Sequence, residues 1–349
     1  MSCHAKPVGL YIHIPFCITK CNYCKFYSLK YDKITADSYK SAVIRNIHEV
    51  TEGGLNFNTV FFGGGTPSLL YCEIAEIINV LPLTPHAEIT VEANPDDITP
   101  IMLRTLLKAG VNRLSVGVQS LHDTVLKKLG RRHDSKTAVS AIKTAFEYGF
   151  LNNSADIMLG IPGQTVQSLE RELDVLTGSG LAHISAYIYE NEETLSEDET
   201  AEMYLKVAEI LEVHDFPQYE ISNFGLPCRH NLKYWNCEEY LGIGAAAHSY
   251  YGGKRFSVPP DIELFINSPV QKIVTTETNP ATFEERVMLG LRLTEGIKFH
   301  GFTEREQELL LSRASAIPKE YIRLNEKKNL SLTRKGFLVS NRIIGELLF

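Results

Sequence analysis

Short apolar runs alternate with amphipathic stretches through the first two thirds of the chain. Apolar or alternating runs at residues 8–14, 58–62, 87–93, 111–118, 154–160 and 183–189 predict six strands. Apolar positions recurring every three to four residues predict helices over 36–52, 68–80, 99–109, 121–129, 135–148, 164–177 and 196–214, with Gly110 placed to stop the third. Strands each followed by a helix imply a parallel sheet with helices packed outside it. Right-handed connections then curve that sheet, so the expected fold class is α/β, a partial (β/α)6 barrel. In such a fold the functional residues belong at the C-terminal ends of the strands.

The texture changes after residue 214. Residues 215–251 are loop-rich and contain QYEISNF, HNLKYW and LGIGAAAHS, and 251–280 reads as a connector punctuated by Gly252, Gly253, Pro259 and Pro260. From Ala281 an amphipathic helix carries Val287 and Leu291 on one face, and a short strand near 330–332 and a last helix follow. This predicts a small α+β unit resembling a winged helix. The expected division is a barrel over 1–222, a loop-rich connector over 223–280 and a C-terminal domain over 281–349.

Composition narrows the class. The chain has 349 residues, 44% hydrophobic and 22% charged, ordinary for a globular enzyme with a sizeable core. Its net charge of −7 disfavours a protein built to bind nucleic acid. The sign reverses locally, with 12 Lys and Arg against 9 Asp and Glu from Ala281 onward. Seven cysteines, an odd number, with no secretory apolar segment at the start, point to a reducing, cytoplasmic setting. No run of about 18 apolar residues predicts a membrane-spanning helix.

The densest chemistry is YIHIPFCITKCNYCKFY, residues 11–27, which puts Cys17, Cys21 and Cys24 in a CxxxCxxC pattern directly after the first strand. Three thiolates on one compact loop can hold three corners of a [4Fe–4S] cube, and with no fourth cysteine nearby one iron stays open. Zinc bound as Cys3His with His13, three small buried residues, or a disulfide are the competing readings.

Other chemistry sits at strand ends. Gly63, Gly64, Gly65, Thr66 and Pro67 follow the second strand, where glycines let a backbone approach a ligand, or simply make a tight turn. Glu92, Gln119, Arg131 and Asp156 border apolar strands and as a set could grip a nucleoside-like cofactor, although each alone could be surface polarity or a cap. Far downstream, His230, Asn231, Tyr234 and Trp235 cluster, flanked by Cys228 and Cys237. They could face a porphyrin with the imidazole as axial ligand, or form a packed lid; His248 is a second candidate.

The motifs YIHIPFC, CxxxCxxC, GGGTPS, VEANP, SVGVQS, DIMLGIPGQT, YEISNF, HNLKYW and LGLRLTEG, in this order over nearly the whole length, resemble those of radical S-adenosylmethionine (SAM) proteins. The resemblance is to the oxygen-independent coproporphyrinogen III oxidase-like group, and within it to the heme chaperone branch. It implies a [4Fe–4S] cluster on Cys17, Cys21 and Cys24, with SAM on the open iron and Tyr11, Gly64 and Glu92 in contact with it. Gly65, Thr66, Gln119, Arg131 and Asp156 match positions that hold a second SAM in the related oxidases. HNLKYW matches that branch's HNxxYW signature, which makes His230 the heme-ligand candidate. The implied function is binding heme and transferring it to client heme proteins such as respiratory enzymes, with an electron donor for the cluster and SAM cleavage to 5′-deoxyadenosine as chemistry it could drive. Oxidation of coproporphyrinogen III is the alternative. Against it, the oxidases carry a further cysteine two places after the third, where this chain has Phe26, and a longer segment before the cluster. The family's Glu and Thr after the sixth strand are matched only loosely by ENEET at 190–194.

Overall fold

The computed structural model of the chain describes residues 7–191 and 194–349. Cys3, and Glu192 and Glu193 of the ENEET stretch, lie outside the described residues. All six predicted strands form, as β1 (Val8–Ile14), β2 (Phe57–Gly64), β3 (Leu83–Ala93), β4 (Arg113–Gln119), β5 (Asn152–Leu159) and β6 (His183–Ile188). Each pairs parallel with the next. Around them lie α1 (Lys33–Thr51), α2 (Tyr71–Asn79), α3 (Pro100–Ala109), α4 (Asp123–Lys128), α5 (Ser135–Glu147), α6 (Val166–Thr177) and α7 (Glu197–Val213). The chain starts most of these helices with a side chain that accepts a first-turn N–H: Asp32, Thr99, Asp134, Thr165 and Ser196. Gly110, at φ +98°, ends α3 as expected.

Residues 223–280 differ from the connector expected there, because they extend the sheet. β7 (Asn223–Gly225) pairs antiparallel with β6, and β8 (Tyr240–Ile243) lies parallel to β1 with Ile12 opposite Ile243. β9 (His248–Tyr251), β10 (Lys254–Ser257) and β11 (Val274–Glu277) continue antiparallel beyond β8. The eleven-stranded sheet runs β11-β10-β9-β8-β1-β2-β3-β4-β5-β6-β7. It curves without closing, with β7 and β11 as its two edges.

The faces of the parallel strands differ. Outward positions such as Leu114, Val116 and Val118 of β4 are buried under the helices. The alternate positions line the concave side and are polar: Thr59, Glu88, Glu92, Arg113, Ser115, Ser154, Asp156 and His183. The parallel register brings them side by side, with Thr59 opposite Glu88, Glu92 opposite Ser115 and Ser154 opposite His183. A short helix, α8 (Arg229–Trp235), closes the N-terminal end of this interior. The Glu88 carboxylate accepts from the backbone N–H of Arg229 at 3.1 Å and of His230 at 3.0 Å, holding the start of that helix against β3.

Residues 281–349 fold as α9 (Phe283–Gly290), α10 (Glu304–Ala314), the hairpin of β12 (Ile322–Leu324) and β13 (Leu330–Leu332), and then α11 (Arg334–Leu338) and α12 (Ser340–Leu348). Val287, Leu291, Leu310 and Leu347 belong to the same hydrophobic cluster as the barrel's Leu10 and Ile12. A backbone bridge from Glu220 to Leu293 ties the two regions together.

Tyr39 of α1 fixes the end of β1. Its buried hydroxyl donates to the His13 carbonyl at 2.8 Å and accepts from the Ala245 N–H at 3.0 Å. Tyr39→Phe leaves both groups unpaired in the interior and is expected to cost about 1–3 kcal/mol. The cost will be seen as a lower urea midpoint at unchanged slope; an unaltered midpoint would show that the hydroxyl holds nothing.

Candidate cofactor site

Beyond β1, Phe16 and Cys17 pair parallel with Leu29 and Lys30, so residues 18–28 are drawn out as a loop over the C-terminal ends of the strands. The loop is seated on the glycine turn after β2. Gly65 N–H donates to the Ile14 carbonyl at 2.8 Å and Thr66 N–H to the Phe16 carbonyl at 2.7 Å. A Cβ at position 65 would lie 2.7 Å from the Phe16 oxygen, so the approach requires glycine. Within the loop, Cys24 N–H turns back onto the Cys21 carbonyl at 3.2 Å.

Cys17, Cys21 and Cys24 all line a cavity of about 480 Å³ at the mouth of the barrel. Gly64, Gly65 and Thr66 form one wall, and Glu92, Gln119, Arg131 and Asp156 contribute from β3 to β5 and their loops. These expected site residues therefore converge. Thr66 Oγ1 lies 3.5 Å from Cys17 Sγ, and Arg131 Nη1 lies 3.5 Å from Cys21 Sγ, so the wall also touches the thiols.

The electrostatics suit a ligand carrying both charges. Glu92 is pushed up to about 7, first by burial and then by the nearby Asp156 carboxylate, against the Gly64 N–H that donates to it at 3.1 Å. Burial raises Asp156 as well, opposed by hydrogen bonding to Ser185 and by the Arg113 charge. Arg131 donates to Asn94 Oδ1 at 2.6 Å and to the Gly117 carbonyl at 2.7 Å, while its buried Nε has no partner. Gln119 is aimed by a slip in register after Gly117 and sits at φ +67°, a strained backbone for this residue type. Thiols for iron, carboxyls for ammonium and hydroxyl groups, and a guanidinium with an unspent N–H for a carboxylate fit an iron–sulfur cluster with a SAM-like ligand.

Tyr11 and His13 lie away from this cavity. Tyr11 sits behind it, its hydroxyl 3.0 Å from His13 Nδ1 and its ring stacked on Phe61. His13 is buried, with Nε2 bonded to the Tyr27 carbonyl at 2.9 Å, so both ring nitrogens are engaged and the Cys3His zinc reading loses its fourth ligand. The six described cysteines are free.

The porphyrin-facing role expected for His230 does not match its placement. His230 is 0% exposed, its Nδ1 lies 2.9 Å from Thr59 Oγ1 and its Nε2 lies 2.8 Å from the Tyr234 hydroxyl. Burial, followed by the Lys233 and Arg113 charges, depresses it to about 3, so it is a neutral member of the barrel floor. Tyr234 packs edge-on to it, Arg292 lies over the Trp235 ring, and Cys228 is fully buried against Glu88. His248 is exposed at the start of β9. Residue-by-residue reading missed Ser115 and Tyr187, which also line the cavity. Alternation of polar and apolar residues through β4 and β6 was the available signal.

The radical SAM superfamily model matches residues 11–176. Heme chaperone HemW of Bacillus subtilis is 35% identical, the match covering 97% of this chain and 98% of that one. Heme chaperone HemW of Lactococcus lactis is 30% identical over 98% of each. Among solved structures, Escherichia coli coproporphyrinogen III oxidase HemN, a radical SAM enzyme, superposes with a TM-score of 0.77 at 20% identity, covering 98% of this chain and 90% of that one. That likeness bears out the α/β parallel-sheet fold.

Glu92 yields a signed prediction for ligand-free, reduced protein. Its raised pKa means that the protonated form favours folding, a contribution complete below the ordinary value of 4.5 and lost as pH rises through about 7. Glu92→Gln is therefore expected to melt above wild type at pH 8, with the gap closing towards pH 4.5. A gap that widens on acidification would reverse the assignment.

Proposed function

The chain belongs to the HemW family of radical SAM proteins, and on that footing we propose that it binds heme and delivers it to client heme proteins. What carries the reading is the convergence of Cys17, Cys21 and Cys24 with Glu92, Arg131 and Asp156 on one cavity, in a chain related along its whole length to heme chaperones.

In this reading the three thiolates hold the [4Fe–4S] cluster and leave one iron for SAM. Gly64 and Glu92 contact that SAM, with Tyr11 behind them; Gly65, Thr66, Gln119, Arg131 and Asp156 are the positions for a second. A cluster held by these thiolates would supply the reducing electron for chemistry at the SAM sulfonium. The chain's own part is to orient and to exchange a proton. An ammonium arriving beside Glu92 favours the carboxylate, so binding near neutral pH releases a proton from that carboxyl. Arg131, which lines the cavity, offers its guanidinium to a carboxylate.

The clients are heme proteins such as respiratory enzymes, an electron donor serves the cluster, and the setting is cytoplasmic. Among the described residues no helix is long and apolar enough to cross a membrane. Cluster-reconstituted, heme-loaded protein is expected to pass its heme to the apo form of a heme enzyme, seen as a Soret shift and a gain of client activity. Heme retained against excess apoprotein would overturn delivery. Cys21→Ser is expected to lose cluster iron while keeping its far-ultraviolet spectrum.

A further inference from the structure

The rim of the cavity carries features that the cofactor chemistry does not use. Phe26 is 64% exposed, Ile188 42% and Tyr187 41%, and all three line the opening. Singly exposed apolar residues are ordinary, but here two aromatic rings and a branched aliphatic share one rim. Lys20 and Lys25, both exposed, line it from the cysteine loop. Lys20 Nζ donates to the Phe26 carbonyl at 3.3 Å, so the cation and the aromatic residue belong to one local unit. With Arg131 they balance the three lining carboxylates, in a chain whose net charge is −7. Of the lining carboxylates, Glu92 and Asp156 lie deeper, and Glu190 stands beside Ile188 and Tyr189.

This pattern matches a flat apolar ring with acidic groups on one edge. The cavity's volume of about 480 Å³ is taken up by the cofactor positions beside the thiols and leaves no room for a macrocycle in addition. Resting on the heme-binding reading above, we propose that heme lies across this mouth, its macrocycle against Phe26, Tyr187 and Ile188 and its propionates towards Lys20 and Lys25. One face of the ring then stays open to solvent, as a carrier that must surrender its cargo requires. His230, buried in the barrel floor, takes no part.

Hemin and its uncharged dimethyl ester, titrated into cluster-reconstituted protein, test the placement. Phe26→Ala is expected to weaken both ligands by roughly five- to tenfold, with Phe26→Trp restoring affinity. The double variant Lys20→Gln/Lys25→Gln is expected to weaken hemin by roughly three- to tenfold and to leave the ester unchanged. Ile188→Asn repeats the apolar test on a strand end outside the cysteine loop. Lys136→Gln/Lys143→Gln, the same charge change on α5, is expected to alter neither ligand. Wild-type affinity for hemin in the Phe26→Ala, Ile188→Asn and Lys20→Gln/Lys25→Gln proteins would overturn this site while leaving heme binding in place. An equal loss in the α5 control would overturn it in favour of general charge attraction. No hemin binding by wild type would overturn the heme reading itself.

Discussion

The backbone of Gly65 runs against the backbone of Phe16, and the site depends on that contact. Two hydrogen bonds, from Gly65 N–H to Ile14 and from Thr66 N–H to Phe16, join the glycine turn to the first residues of the cysteine loop. A side chain at position 65 would meet the Phe16 oxygen at 2.7 Å and lift the loop away. The pairing of Phe16 and Cys17 with Leu29 and Lys30 closes the loop at its base, so two motifs nearly fifty residues apart become one wall. Tyr39 secures the same strand end from the opposite side, through the His13 carbonyl.

The second constraint is the polar interior of a parallel sheet. Parallel strands usually bury both faces in apolar contacts, whereas here the concave face carries carboxylates, an arginine and histidines. Buried charges are costly unless paired. The floor meets that cost internally: Glu88 accepts three hydrogen bonds from α8 and its cap, and His183 bridges Ser154 and the Tyr219 hydroxyl. The mouth does not. Glu92 and Asp156 raise their proton affinity instead, and an Arg131 N–H is left over. The floor carboxylate of Glu88 is thus fully engaged by the chain itself, while the carboxyls at the mouth keep their capacity for a ligand, which is the physical difference between a core and a binding site.

Most of the barrel was legible because its six strands and outer helices follow one another locally, each with its own period and cap. The set from Cys17 to Asp156 was legible because parallel strands bring their C-terminal ends to one rim. β8 was not, since Tyr240–Ile243 is four residues long, ends at a glycine, and becomes a strand only by pairing with β1 far back in the chain. β9 to β11 depend in turn on β8, so the whole of 223–280 read as connector. His230 failed for a different reason. A histidine among aromatic residues has the same signature whether it faces a macrocycle or a buried threonine, and only tertiary contacts separate the two.

That placement shifts the weight of the HNLKYW segment from ligation to architecture. Its helix shuts the N-terminal end of the barrel, Lys233 packs over Gly9, and Tyr234 reaches Tyr240 at the root of β8. A group whose two ring nitrogens already bond Thr59 and Tyr234 could bind iron only by giving up one of those bonds and opening the floor around it. At the other end no such rearrangement is needed: Phe26, Tyr187 and the two lysines are already in solvent around a preformed cavity. A carrier gains from this division, because cargo held at an open rim can leave without unfolding the barrel that holds the cluster.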